Sequence, residues 1–261
     1  MASTHLAVLG SPIEFSKSPI IHAAAYEVLG LDWDYGRYRV EAAELEGFIN
    51  LRDDSWRGLS LTMPLKEEAF RISIPSCSVA KATGIVNTLL HTELGWEGYN
   101  TDAFGITKAV TEHSKTQFES INILGSGATA RSALHAARQI SPNANINIFA
   151  RKSSILDGIA TKPLEDYYSI EQAGLTISTL PGSVVHPALS VAQSGVILDV
   201  AYNPWPSKLA SNWKSENRIS GIEMLLWQAL VQIRIFTQGD GSAELENETE
   251  VFRAMRASVK A

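Results

Sequence analysis

Two ionisable side chains, Lys66 and Asp102, stand at places in the sequence where a fold alone gives little reason for them. Thr62-Met-Pro-Leu-Lys66 reads as the end of a strand running into a helix started by its proline. A lysine in that first turn faces the positive end of the helix dipole, a poor place for a structural cation. Desolvation and nearby partial positive charge both draw a lysine pKa down toward values useful for proton transfer. The plain alternative is a surface lysine whose stem lies on the protein while its head stays in water. Gly98-Tyr-Asn100-Thr-Asp102 ends in a carboxylate that can cap the next helix. It also stands at the hinge between the two halves of the chain, beside the expected nucleotide cleft, which favours a chemical role. In Ser16-Lys17-Ser18-Pro19, an extended backbone would turn both hydroxyls to one side, where they can meet a single ligand group such as a carboxylate. Ser18 can instead be the cap of a helix opened by Pro19. Asn87 is a further polar residue at a strand start, uninformative alone.

A second constellation suits a nucleotide. Gly125-Ser126-Gly127-Ala128-Thr129-Ala130 follows the strand-like run Ile121-Asn-Ile-Leu124 and opens a helical pattern. The first glycine permits a tight turn, the second lets a pyrophosphate approach the backbone, and the small third residue permits close helix–strand packing. Free N–H groups at the helix start then face phosphate charge. The alternative is a structural turn, but strand and helix are both in place. An NAD binder usually ends its second strand with an acid about 20 residues past the glycines. Here that strand runs into Phe149-Ala150-Arg151-Lys152-Ser153-Ser154, with no acid before Asp157. Two cations and two hydroxyls suit a 2′-phosphate, so NADP is favoured over a merely solvated basic loop.

The elements that must position these groups can be read coarsely. Leu6–Leu9, Tyr35–Val40 and Leu59–Thr62 look extended; Ser18–Leu29 and Glu41–Leu51 look helical; Thr88–Tyr99 reads as a hairpin around Leu94-Gly95. From Ile121 the rhythm is strand, helix (Ala128–Ile140), strand (Asn145–Ala150), then short apolar runs at Leu175–Ser178 and Val196–Asp199. This predicts an α/β chain with a parallel sheet covered on both faces. Two amphipathic helices, Ile222–Thr237 and Ala243–Val259, close the sequence and fold back onto the first domain.

Composition narrows the classes. The 261 residues are 45% hydrophobic and 19% charged, which is globular rather than disordered. A net charge of -6 with no Lys/Arg-rich run argues against a nucleic-acid partner. The oily run Met224–Phe236 is broken by Gln228, Gln232 and Arg234 and is too short to span a bilayer. The N-terminus has no signal-peptide pattern, which makes the cytoplasm the expected compartment. One cysteine, Cys77, and scattered histidines leave no metal site to expect.

In their order, these segments resemble the shikimate dehydrogenase family over almost the whole length. Gly10-Ser-Pro12-Ile-Glu-Phe-Ser16-Lys-Ser18-Pro19-Ile-Ile-His22 is similar to its opening substrate motif, and Leu61-Thr62-Met-Pro64-Leu-Lys66 to its lysine motif. Val86-Asn87-Thr88, Gly98–Asp102, Ser178–Gly182, Asp199-Val-Ala-Tyr202-Asn-Pro204 and Gly221–Gln228 follow. The resemblance implies reversible NADP-dependent reduction of 3-dehydroshikimate to shikimate by a monomer or homodimer. It implies an N-terminal α/β substrate domain (residues 1–102 with 222–261) and a Rossmann-type, doubly wound NADP domain (103–221). Ser16, Ser18, Thr62, Asn87, Tyr202 and Gln228 would contact the substrate, with Lys66 and Asp102 flanking the reacting hydroxyl. Val200 and Gly221 join the cofactor-binding residues, Gly221 near the nicotinamide. Three positions depart from the family pattern: Phe15 replaces a frequent His, Ala23 replaces an Asn after His22, and Ser60 replaces an Asn before Thr62. These read as adjustments at the rim of the motifs, bearing on quinate against shikimate. The rivals are an NAD-using quinate or shikimate dehydrogenase, against which Arg151 and Lys152 speak, and a non-catalytic nucleotide sensor, against which the retained Lys66 and Asp102 speak.

Overall fold

The computed structural model describes residues 4–168, 172–182 and 194–260. Its contacts divide the chain into two compact units, Met1–Thr101 with Gln228–Ala261, and Asp102–Trp227.

The first unit is built on a six-stranded sheet. Its elements in order are β1 (Thr4–Gly10), α1 (Ser18–Val28), β2 (Trp33–Arg39), α2 (Leu45–Asn50), β3 (Trp56–Leu61), α3 (Lys66–Ile72), β4 (Ile74–Pro75), α4 (Ser78–Thr83), β5 (Thr88–Thr92) and β6 (Gly95–Tyr99). β1 runs parallel to β2 and β3 on its two sides, and its run Leu6-Ala-Val-Leu9 is buried throughout, as a strand covered on both faces must be. β5 then reverses direction, pairing Ser60 with Thr88, and β6 pairs Thr88 with Tyr99. The reversal brings the end of β3, the start of β5 and the end of β6 to one end of the sheet. There the Leu61 N–H donates to the Asn87 carbonyl (2.8 Å), and the Asn87 N–H to the Tyr99 carbonyl (3.0 Å). Residues just beyond these strand ends therefore converge although far apart in sequence. Leu9, Leu45, Leu59, Leu65 and Leu89 pack beneath them in a closed core, each worth roughly 1.5–3 kcal/mol of burial.

The second unit holds α5 (Asp102–His113), β7 (Ser120–Leu124), α6 (Ala128–Ile140), β8 (Asn145–Ala150), β9 (Ile155–Leu156), β10 (Ile159–Ala160), β11 (Lys162–Pro163), β12 (Leu175–Ser178), β13 (Val196–Asp199) and β14 (Arg218–Ser220). Its six-stranded sheet is parallel throughout, in the order β11-β8-β7-β12-β13-β14. β7 sits centrally with β8 on one side and β12 on the other, the arrangement that places a ligand crevice at the carboxyl ends of the strands. Leu124, Phe149, Ile197 and Trp213 belong to its core. Helix α7 (Gly221–Gln238) begins in this unit and ends in the first, where α8 (Glu248–Ser258) packs against α1.

Several boundaries differ from the sequence expectation for local reasons. The helix expected to start at Pro64 starts at Lys66, after a turn in which the Leu65 N–H bonds the Thr62 carbonyl (2.9 Å). The last helix starts at Glu248 rather than Ala243, because the Glu248 carboxylate reaches back to the Leu245 N–H (3.1 Å) and pairs with Arg234. The stretch after Glu41 begins as a single tight turn, Ala42–Glu44, closed by reciprocal bonds between Glu41 and Glu44, and only then becomes α2. The two-residue strands β4, β9, β10 and β11 carry too few residues for any periodicity to mark them. No helix among the described residues is long and apolar enough to cross a membrane.

Candidate active site

Lys66 is the first residue of α3 and only 8% exposed, so the surface-lysine alternative fails. Its carbonyl accepts the Val86 N–H (3.0 Å), which ties the lysine turn to the start of β5. The next two residues, Glu67 and Glu68, put negative charge in the first turn, where the helix dipole favours it; the buried ammonium goes against that preference. Thr62, four residues earlier, leans on Gly10 so closely that a Cβ there would overlap the threonine methyl, which accounts for glycine at the end of β1.

Asn87, Thr101 and Gln228 form one buried cluster. The Asn87 Oδ1 accepts the Thr101 N–H (2.9 Å) and the Thr88 hydroxyl (2.9 Å). Its Nδ2 therefore donates toward Thr101 Oγ1 (2.9 Å) and Gln228 Oε1 (3.3 Å). Asn87, individually uninformative in sequence, is 2% exposed. Thr101 went unremarked between Asn100 and Asp102, and its only sequence signal is that position.

The Ser16–Ser18 segment is not extended. Lys17 has helical angles (φ -88°, ψ -2°), and Ser16 Oγ accepts the Ser18 N–H (3.3 Å). Ser18 thus lies inside the first turn of α1 rather than capping it, because Ser16 takes over one of the helix's orphan donors. Ser18 is buried. Of the three departures from the family pattern, Phe15 and Ala23 are exposed, as rim positions should be. Ser60 is not at the rim. It is 4% exposed and bonded to Tyr35 (2.6 Å) and Gln232 (2.9 Å), which corrects the sequence expectation.

The second unit carries Asp102, the first residue of α5, where a carboxylate suits the helix dipole. It is 4% exposed, so any structural role as a helix-start anion coexists with a buried charge. Gly125 has φ +112°, and a Cβ on it would overlap Thr179 Oγ1, so only glycine fits the turn after β7. Gly127 is different: a Cβ there would meet no protein atom within 4 Å. No protein contact requires glycine at 127, whereas a group bound against the backbone would. Ala128 and Thr129 open α6, no side chain caps it, no acid lies in its first turn, and Ala130 is fully buried against the sheet. Ser126 is half-buried in the turn between the glycines. β8 delivers buried Ala150 and then exposed Arg151 and Lys152. The nearest following acid, Asp157, is held by Arg138 through its carboxylate and carbonyl. These residues fit a dinucleotide with a 2′-phosphate.

At the end of β13, Asp199 is buried, and burial pushes its carboxyl pKa up while bonds from Ser207 and the Ala201 N–H (3.2 Å) pull it down. This anchor fixes the backbone that carries Val200 and half-buried Tyr202. Val200 lies so close to Gly221 that no side chain fits on the glycine. Asp199 was visible in sequence as the end of a strand and the start of a family motif, with no role of its own. No group of three or more His, Cys, Asp or Glu side chains among the described residues can hold a metal ion.

Comparison with known proteins decides the family. Residues 8–89 match the model of the shikimate dehydrogenase substrate binding domain. A shikimate dehydrogenase (NADP(+)) of Methanococcoides burtonii is 32% identical over 249 residues, spanning 88% of this chain and 91% of the relative. The chain belongs to the shikimate dehydrogenase family. A Prochlorococcus marinus shikimate dehydrogenase (NADP(+)) is 30% identical over 91% of this chain and 93% of its own length. Among solved structures, Mycobacterium tuberculosis shikimate dehydrogenase superposes with a TM-score of 0.79 at 32% identity, covering 97% of this chain and 99% of that one. The Thermus thermophilus shikimate 5-dehydrogenase, solved with NADP(H) and shikimate, also gives 0.79, at 26% identity over 98% and 99% of the two chains. The α/β architecture, with an N-terminal domain and a parallel-sheet domain, is that of shikimate dehydrogenases.

Proposed function

We propose that this chain catalyses the reversible, NADP-dependent reduction of 3-dehydroshikimate to shikimate. The observation that carries the reading is Lys66: an ammonium buried at the start of a helix whose dipole disfavours it, in a unit that matches a substrate-binding domain. In this reading residues 1–102 with 222–261 hold the acid and 103–221 hold the nucleotide. Ser16, Ser18, Thr62, Asn87, Gln228 and Tyr202 bind and orient the substrate. Lys66 gives a proton to the oxygen that gains negative charge on reduction and takes it back in the reverse direction. Asp102 orients the substrate hydroxyl. Gly125, Ser126, Gly127, Ala128, Thr129 and Ala130 receive the pyrophosphate, Ala150, Arg151 and Lys152 the 2′-phosphate end, and Val200 and Gly221 the nicotinamide end. NADPH, when bound, supplies the hydride. The protein would work in the cytoplasm as a monomer or homodimer, which light scattering distinguishes.

The test is a spectrophotometric assay of the purified protein with shikimate or quinate and each oxidised nucleotide. Reduction of NADP+ by shikimate at a higher kcat/KM than any other pairing is expected. Turnover confined to NAD+ with quinate, or none with either acid, removes the reading.

A further inference from the structure

Tyr35, Ser60 and Gln232, none of which has a role in the proposed reaction, form an unbroken line of buried hydrogen bonds in the first unit. Tyr35 donates to Ser60 Oγ (2.6 Å), and Ser60 donates to Gln232 Oε1 (2.9 Å). Gln232 Nε2 donates to the Asn87 carbonyl (3.2 Å) and to Thr88 Oγ1 (2.9 Å). The Thr88 hydroxyl donates to Asn87 Oδ1 (2.9 Å). The line thus ends on Asn87, a residue assigned to the substrate.

Its polarity is set at Gln232. A backbone carbonyl can only accept, so the Gln232 amide must turn its nitrogen to Asn87 and its oxygen to Ser60. Ser60 must then donate to that oxygen and accept from Tyr35. On the Asn87 side, Thr88 is left to donate to Oδ1, which aims Nδ2 toward Gln228. Gln232 is one helical turn beyond Gln228 on α7, so both amides come from one face of one helix. A buried line with every member satisfied holds its groups in a single arrangement.

We propose that Gln232 is a positioning residue for the substrate site: it fixes the orientation of the Asn87 amide and is itself held in place by Ser60 and Tyr35. The inference rests on the functional reading above for what the ordered amide is for, but not for its existence. Gln232→Glu is nearly isosteric. It still accepts from Ser60, but when ionised it has no proton for the Asn87 carbonyl. Burial raises a carboxyl pKa, so acidification restores a donor there.

The experiment measures KM for shikimate and for NADP+, and kcat, in wild type and Gln232→Glu from mildly acidic to alkaline pH. At alkaline pH the variant's KM for shikimate should exceed wild type by roughly tenfold, the worth of one to two buried hydrogen bonds. The ratio should fall toward one on acidification, with the NADP+ KM unchanged throughout. A ratio near one at every pH, or a pH-independent rise shared by both substrates, overturns the proposal. Should that variant not fold, Ser60→Ala against Ser60→Thr replaces it, the alanine raising the shikimate KM and the threonine restoring it; equal values overturn the proposal. Side-chain amide NMR keeps the two readings apart. In Ser60→Ala the Asn87 amide resonances should shift although Ser60 makes no hydrogen bond to that side chain, and this holds whether or not wild type oxidises shikimate. Unmoved resonances sink the relay alone; absent wild-type turnover sinks the functional reading alone.

Discussion

In the unit that carries Lys66, the candidate binding groups are mostly side chains sunk in the interior, each oriented by another buried polar group. In the unit that carries Gly125, they are backbone at a helix start and two exposed cations. In the proposed reading the difference follows from what each would recognise. A pyrophosphate presents diffuse negative charge, which backbone N–H groups and a helix dipole meet without any particular side chain. A small acid bearing several hydroxyls is told from its analogues only by directed hydrogen bonds, and buried donors and acceptors left unpaired cost enough to reject the wrong ligand. The first unit therefore accumulates amides and hydroxyls such as Asn87, Thr101 and Gln228, whereas the second needs glycine at two positions for two different reasons.

The largest effect should come from Lys66→Ala. Loss of a positioned proton donor is expected to cut kcat by ~10²–10⁴-fold, while substrate affinity, measured by calorimetry, changes little. A weaker affinity with kcat preserved would make Lys66 a binding residue and nothing more.

The two glycines sharpen the contrast within the second unit. Gly125→Ala forces a side chain onto a backbone at φ +112° and against Thr179. It should lower stability by about 1–3 kcal/mol in a denaturant titration. Gly127→Ala meets open space at φ -82°; it should leave the denaturation midpoint unchanged and weaken NADP+ binding. Equal loss of stability in both variants would remove the argument that Gly127 serves a ligand.

Exchanging Arg151 and Lys152 for alanine should lower the preference for NADP+ over NAD+ by roughly 10–100-fold, the worth of one or two charge-assisted hydrogen bonds. Both side chains are exposed, so the melting temperature should not move. An unchanged preference would return them to the status of a solvated loop.

The smallest effect, within one pH unit below 6.5, is a pH dependence in the first unit. His22 is fully buried, bonded to Tyr26 (3.0 Å) and stacked on Tyr35 (4.0 Å between ring centres). Burial pushes its pKa down from 6.5 to about 3, against a smaller raising contribution from Gln232. The unfolded chain binds a proton below 6.5 that the folded chain refuses. His22 therefore contributes full stability above that value and loses it as pH falls toward 3, by at most ~1.4 kcal/mol per pH unit. Thermal melts of wild type and His22→Leu across that range should converge on acidification; parallel curves would mean that His22 takes up its proton in the folded state.

Much of the second unit was legible residue by residue. α6, β8, β12 and β13 have the bounds their apolar patterns predict, because a parallel strand buried on both faces is a continuous apolar run and an amphipathic helix repeats visibly. The glycine loop was legible for a related reason: backbone geometry restricts which residues can occupy it. The first unit was read less well. Its Ser16–Ser18 segment turned out bent into the start of α1 rather than extended, and Ser60, taken for a rim position, lies inside a hydrogen-bonded line. No local pattern marks a buried serine, since burial depends on which strands pair beside it.

The sequence by itself determined the order of elements, the parallel sheet of the second unit, the nucleotide fingerprint and the family, because these rest on local periodicity, glycine geometry and ordered motifs. Tertiary structure alone decided that Lys66 is buried and that Asn87 meets Gln228 across 141 positions of chain. It also decided that Gln232 faces the Asn87 carbonyl. The physical reason is the reversal at β5, which brings distant strand ends to one end of a sheet; hydrogen bonds made there depend on distance in space, for which spacing along the chain is no guide.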